Sequence, residues 1–201
     1  MPHPLIFIFE EFPKSRYLFI EKMKFPVRKR TRKKGYDYSR DGVYYFTSNT
    51  KNNLQIFGEI RNHEIQLNEY GRIVLEQWQW LEEQYPYVVS HAFIVMPNHV
   101  HGILEINRNR VSQNNDFAKE GHENKIKIKP LSELIGAFKM TSSKRIHSLD
   151  TFLVQECTVL PGFIWHRSFH DHIIKSRGAY DRIKKYIECN PVNWKYDEFN
   201  K

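Results

Sequence analysis

His91-Ala-Phe-Ile-Val-Met-Pro-Asn-His-Val-His-Gly-Ile-Leu-Glu-Ile106 is the stretch on which the reading of the chain turns. An apolar run from Phe93 to Met96 breaks at Pro97-Asn98, and a second strand-like segment opens with His99-Val100-His101. Side chains two apart on a strand share a face. His99 and His101 therefore project together, while Val100, Gly102, Leu104 and Ile106 face the other way. Two imidazoles held side by side on a strand make half of a metal site. Alone, they are equally at home as two half-exposed sheet histidines, so the other half must be sought elsewhere.

Working outward, Val88 to Val95 and His99 to Ile106 read as an adjacent strand pair with a tight Pro97-Asn98 connection. Upstream, Asn68 can cap a helix from Glu69 to Gln84 with an apolar stripe of Tyr70, Ile73, Val74, Trp78 and Leu81, ended by Pro86. Val43 to Ser48 is rich in β-branched and aromatic residues and reads as a first strand. Downstream, residues 107–129 are polar and aperiodic and read as a flexible insert. A second helix is expected from Pro130 to Ser148, apolar at Leu131, Leu134, Ile135 and Phe138 and basic at Lys139, Lys144 and Arg145. A strand region follows over Phe163–Ile174, then a helix from Ala179 to Cys189 that stops at Asn190-Pro191. The first six elements of this β-α-β-β-α-β-α order match an α+β, ferredoxin-like (RRM-like) sandwich with an antiparallel sheet, plus a C-terminal helix carrying Tyr186.

Composition narrows the class. At 201 residues, residues 25–201 suffice for a single domain. Residues 1–24 mix aromatic clusters with Pro2, Pro4 and Pro13 and show no clean period. They are expected to be a disordered extension, with 1–22 dispensable and Met23 an alternative start. No apolar run approaches a membrane span, and Pro4 to Phe9 is too short for a signal sequence. Cys157 and Cys189 lack metal-type spacing and suit a reducing cytoplasm. The net charge of +8 favours a polyanionic partner, which would place the protein at the nucleoid. Arg28, Lys29, Arg30, Arg32, Lys33 and Lys34 surround Thr31 in a basic arm suited to phosphates.

The missing donors should lie where they can reach the His99/His101 face. Tyr186 and Asn190 are i and i+4 on the last helix and so share a face. Asn190 can offer a carbonyl oxygen, and Tyr186 a phenol. Two imidazoles and an amide oxygen suit Mg²⁺ or Mn²⁺ more than a closed zinc site. A tyrosine beside such a centre can attack phosphorus, although spacing alone leaves Tyr186 equally readable as a packing residue.

Met96-Pro-Asn-His-Val-His-Gly-Ile-Leu104, joined to Trp165-His-Arg-Ser-Phe-His-Asp-His-Ile-Ile174 and Tyr186-Ile-Glu-Cys-Asn-Pro-Val-Asn-Trp194, resembles the REP-associated tyrosine transposases of the single-tyrosine HUH superfamily. The resemblance runs from about Phe25 to Trp194 and is interrupted by the insert. It implies that His99 and His101 are metal ligands, Asn190 a third ligand and Tyr186 the nucleophile. The implied activity is metal-dependent cleavage and rejoining of single-stranded DNA at hairpin-forming repeats, leaving a 5′-phosphotyrosine and a free 3′-OH. Phosphates would be held by the arm and by Lys139, Lys144, Arg145 and Arg167. His166 stands where the family usually has Gln. A relaxase or replication-initiator nuclease, or a non-catalytic RRM-like binding module, remains as an alternative. A homodimer in which a second copy supplies the helix also stays open beside a monomer.

Overall fold

The computed structural model describes residues 32–113, 126–153 and 164–200. The expected 1–24 extension lies outside them, as do Arg28, Lys29 and Arg30. The elements run β1 (Gly42–Asn49), β2 (Gly58–Arg61), β3 (Glu64–Leu67), α1 (Glu69–Gln84), β4 (Val88–Val95), β5 (His99–Ile106), α2 (Asn109–Gln113), α3 (Leu131–Leu153), β6 (His170–Ile174) and α4 (Arg177–Glu188). Strands β4-β5-β1-β6 form one antiparallel sheet in that order. Counting only the strands of this sheet, the order is the 2-3-1-4 arrangement of the ferredoxin-like sandwich.

Local chemistry sets the boundaries. The Asn68 side chain accepts a hydrogen bond from the Gly71 N–H and starts α1. Helices α1 and α3 cover one face of the sheet, which buries Tyr44, Phe46, Val100, Leu104 and Ile106 beneath Val74, Trp78, Leu134 and Phe138. Trp78 is the hub of this layer: its ring stacks on Phe93 at 4.4 Å and meets Phe138 edge-on at 5.7 Å. Helix α4 covers part of the opposite face, where Ile103, Ile174 and Ile187 form a second apolar cluster with Tyr180 and Ile183. Among the described residues no helix is long and apolar enough to cross a membrane.

The structure departs from the sequence-based expectation in three places. Strands β2 and β3 form an unforeseen hairpin, turned by Asn62 and His63 with φ of 50° and 66°. Two consecutive left-handed residues are the signature of a two-residue hairpin turn, here made without glycine. The last strand is only His170–Ile174, because Trp165 makes one isolated bridge to Thr50 and residues 166–169 leave the ladder. The described start of the 107–129 insert is the short helix α2, whose Arg110 donates to the Val88 carbonyl at 3.1 Å.

Gly102 is a tight point between the layers. A Cβ there would lie 2.5 Å from Phe46 Cε1 and 3.1 Å from Phe93 Cδ2. Both rings are packed, so Gly102→Ala should destabilise the protein by about 1–3 kcal/mol. Urea unfolding followed by tryptophan fluorescence would measure the shift, and an unchanged midpoint would contradict the packing argument.

Candidate active site

Because β5 alternates, the residues opposite Val100 and Leu104 face α4. His99 and His101 lie there, 0% and 1% exposed, with their Nε2 atoms 3.0 Å apart. The other ring nitrogens are anchored. The Asn98 amide nitrogen donates to the carbonyls of Asn53 and Phe199, at 3.1 and 2.7 Å, which leaves its oxygen to accept from His99 Nδ1 at 2.8 Å. His99 Nε2 thereby carries a lone pair, which faces His101 Nε2 at 3.0 Å. His101 Nδ1 meets the Tyr45 and Thr47 hydroxyls, each at 2.9 Å. Hydroxyls donate or accept, so either tautomer of His101 is satisfied.

Oxygen donors close the pocket. Asn190, in the turn after α4, is 2% exposed, and its Oδ1 has no hydrogen-bond partner. An unpaired buried carbonyl oxygen is costly unless a ligand uses it. The Asp197 carboxylate lies 3.9 Å from His99 Nε2, and with both histidines it forms a group whose ligand atoms all fall within 4.8 Å. Two imidazole nitrogens, an orphaned amide oxygen and a carboxylate form a mixed nitrogen–oxygen set that fits a divalent cation.

Burial tunes every group in the pocket. It lowers His99 to about 3 and His101 well below the ordinary imidazole value, with neighbouring His99 adding to the latter, so both are neutral at pH 7. It raises the Asp197 carboxyl and the Tyr186 phenol. Tyr186 is pushed up further by Asp197 and eased back by the adjoining Asn190 amide.

Tyr186 projects from α4 with its hydroxyl 3.5 Å from His101 Nε2 and its ring edge-on to His101 at 5.2 Å. Four expected site residues, His99, His101, Tyr186 and Asn190, are therefore brought together within one chain. Asp197, Asn98, Tyr45 and Thr47 were not anticipated. The period-2 rule on β1 offered a signal for Tyr45 and Thr47; Asp197 carried none.

The expected phosphate-binding residues are scattered. Lys139 is 4% exposed, and its ammonium donates to the His166 and Ser168 carbonyls at 3.0 Å each. It is turned inward, and burial followed by the nearby Arg32 charge lowers it to about 8. Lys144 is exposed and Arg145 pairs with Glu76 of α1 at 2.8 Å, both on the helical layer across the sheet from the histidines. Arg32, Lys33, Lys34 and Arg167 are exposed. Tyr180, six residues before Tyr186 on α4, places its hydroxyl 3.3 Å from His91 Nδ1, farther along the same helix–sheet seam.

The histidine shifts make acid stability a test of the site. Below about pH 6.5 the unfolded chain protonates both imidazoles while the folded chain holds them neutral, so stability present above that pH is lost as pH falls toward 3. His99→Gln/His101→Gln should flatten the fall between pH 7 and 4. Parallel slopes for variant and wild type in urea titrations would contradict it.

No protein-family model matches the chain. A protein of Haemophilus influenzae (strain Rd), named "Uncharacterized protein", is 33% identical over 177 residues, which cover 85% of this chain and 92% of that one. A solved structure of a REP-associated tyrosine transposase bound to a REP hairpin superimposes with a TM-score of 0.52 at 16% identity, over 85% of this chain and 77% of its own. The chain belongs to the same family as the Haemophilus influenzae protein, and its fold is that of a REP-associated tyrosine transposase.

Proposed function

We propose that the protein is a transposase-like single-strand DNA endonuclease and strand transferase, acting at hairpin or repeat DNA through Tyr186. The observation that carries this reading is the convergence of the Tyr186 hydroxyl on two neutral imidazole Nε2 atoms, with the Asn190 amide, its Oδ1 unpartnered, adjoining Tyr186 and Asp197. The solved transposase with its REP hairpin supports the choice of substrate class. A binding module alone would give these four groups no reason to meet.

His99, His101 and Asn190 would hold Mg²⁺ or Mn²⁺, with Asp197 beside them. A cation there supplies Lewis-acid polarisation of a phosphodiester oxygen. Tyr186 does the covalent work. Its oxygen bonds to phosphorus, the bond to the 3′ oxygen breaks, the phenol loses its proton and the departing 3′ oxygen gains one. The 5′-phosphotyrosine keeps a phosphodiester, so a 3′-OH can reverse the step and rejoin the strand. The raised phenol means that Tyr186 rests protonated at neutral pH, so the free site holds the nucleophile in its less reactive form. The exposed Arg32, Lys33, Lys34 and Arg167, with the arm from Arg28 to Arg30, would contact phosphates without reading sequence. Tyrosine and histidines come from one chain, so this chemistry does not require a second copy.

Tyr186→Phe should bind a labelled hairpin oligonucleotide but form no covalent adduct with Mn²⁺ on a denaturing gel; wild-type cutting by this variant would refute the assignment. Asn98→Ala removes the group that orients His99 and should weaken Mn²⁺ binding roughly 10- to 100-fold by calorimetry. Unchanged affinity would mean that His99 is not a ligand.

A further inference from the structure

The open face of the sheet is not fully covered by α4, which packs on β4 and β5. In the ladder, Thr47 stands opposite His101 on one side and His170 on the other, and Tyr45 likewise stands between Ile103 and His172. His101, Thr47 and His170 thus form one row across the same face. With strands about 4.8 Å apart, the His170 backbone lies roughly 10 Å from that of His101. Both His170 and His172 are exposed, and Thr47, bonded to His101 Nδ1 at 2.9 Å, forms the buried floor between them and the pocket.

Among the described residues neither imidazole makes a hydrogen bond or ion pair that explains it. They do not make a second metal site with Asp171. The strand alternation sends Asp171 to the helix face, where its side chain is 1% exposed and 3.8 Å from Arg32. Among the described residues the sole metal-type grouping is His99, His101 and Asp197. Asp171 is also the only acidic residue between Ile164 and Tyr180, while Arg167 and Lys175 are exposed at either end of the strand. Strand β6 therefore carries no exposed carboxylate of its own, Asp197 and Glu198 acting at the pocket end on Tyr45 and Tyr186, and the shelf offers ring N–H donors and aromatic faces beside the half-exposed Tyr186 ring.

Resting on the function proposed above, we infer that His170 and His172 form a docking shelf for the unpaired nucleotides that flank the bond presented to Tyr186. Unpaired nucleotides offer both a phosphate oxygen for an imidazole N–H and a base for its ring, whereas a duplex presents chiefly phosphates at its surface.

The test is fluorescence anisotropy with a labelled, unstructured oligonucleotide and its duplex form, without divalent cation, so that binding is read apart from cleavage. His170→Ala/His172→Ala should weaken single-strand binding roughly tenfold and duplex binding much less. Thermal unfolding and Mn²⁺ affinity should match the wild type. In the wild type, the His170 and His172 Cε1–H resonances should shift as the oligonucleotide is added, a readout that needs no variant. Unchanged single-strand affinity, equal loss for both DNA forms, loss of Mn²⁺ binding, or static resonances would each overturn the shelf. A wild-type protein that bound the strand but never formed an adduct at Tyr186 would overturn the cleavage reading and leave the shelf standing.

Discussion

Strand β5 is filled on both faces, and the rest of the molecule is arranged to permit that. Its even-numbered side chains close the core under α1 and α3, and its odd-numbered ones build the pocket under α4. A strand offers no third direction, so the pocket inherits the rigidity of the core through the same backbone. Slipping the register by one residue would put the imidazoles among Trp78 and Phe138 and Val100 and Leu104 into the pocket. The pocket geometry and the core packing are one constraint.

Rigid placement has an electrostatic counterpart. Imidazoles withdrawn from water resist protonation, which keeps their lone pairs in place but leaves little to offset buried charge. Each ring is aimed by a neutral group, Asn98 for one and the Tyr45–Thr47 hydroxyl pair for the other. The nearest formal negative charge among the described residues is Asp197, at 3.9 Å and itself pushed toward neutrality by burial, with Glu198 acting on it from beside. The pocket thus concentrates donor atoms without concentrating charge, a state that favours an incoming cation over a proton.

Much of this was legible in the sequence where local chemistry alone decides. Asn68 and Pro86 bracket α1, and Pro97-Asn98 separates β4 from β5, so those bounds agree with the structure. The hairpin of β2 and β3 was hidden because its turn uses Asn62 and His63 instead of the glycine that usually marks such a bend. Lys139 read as a surface cation, since periodicity places a residue on a helix face without saying which distant carbonyls meet it there. The same limit hid Asp197. Its place is set by Phe199, whose carbonyl accepts from Asn98 and whose ring lies 4.8 Å from His99, contacts formed across a hundred residues of chain.

The seam between α4 and the sheet carries two polar contacts from tyrosines six residues apart, Tyr180 to His91 on β4 and Tyr186 to His101 on β5. Six residues of α-helix span about 9 Å, and each residue added or removed turns the rest of the helix by about 100°. The helix is in effect a ruler with a mark at each end, read against two different strands. Length changes elsewhere can be absorbed by loops, but a single insertion or deletion between the marks would swing one tyrosine off its histidine while leaving every residue type intact. Composition in that interval is free to drift; spacing is not.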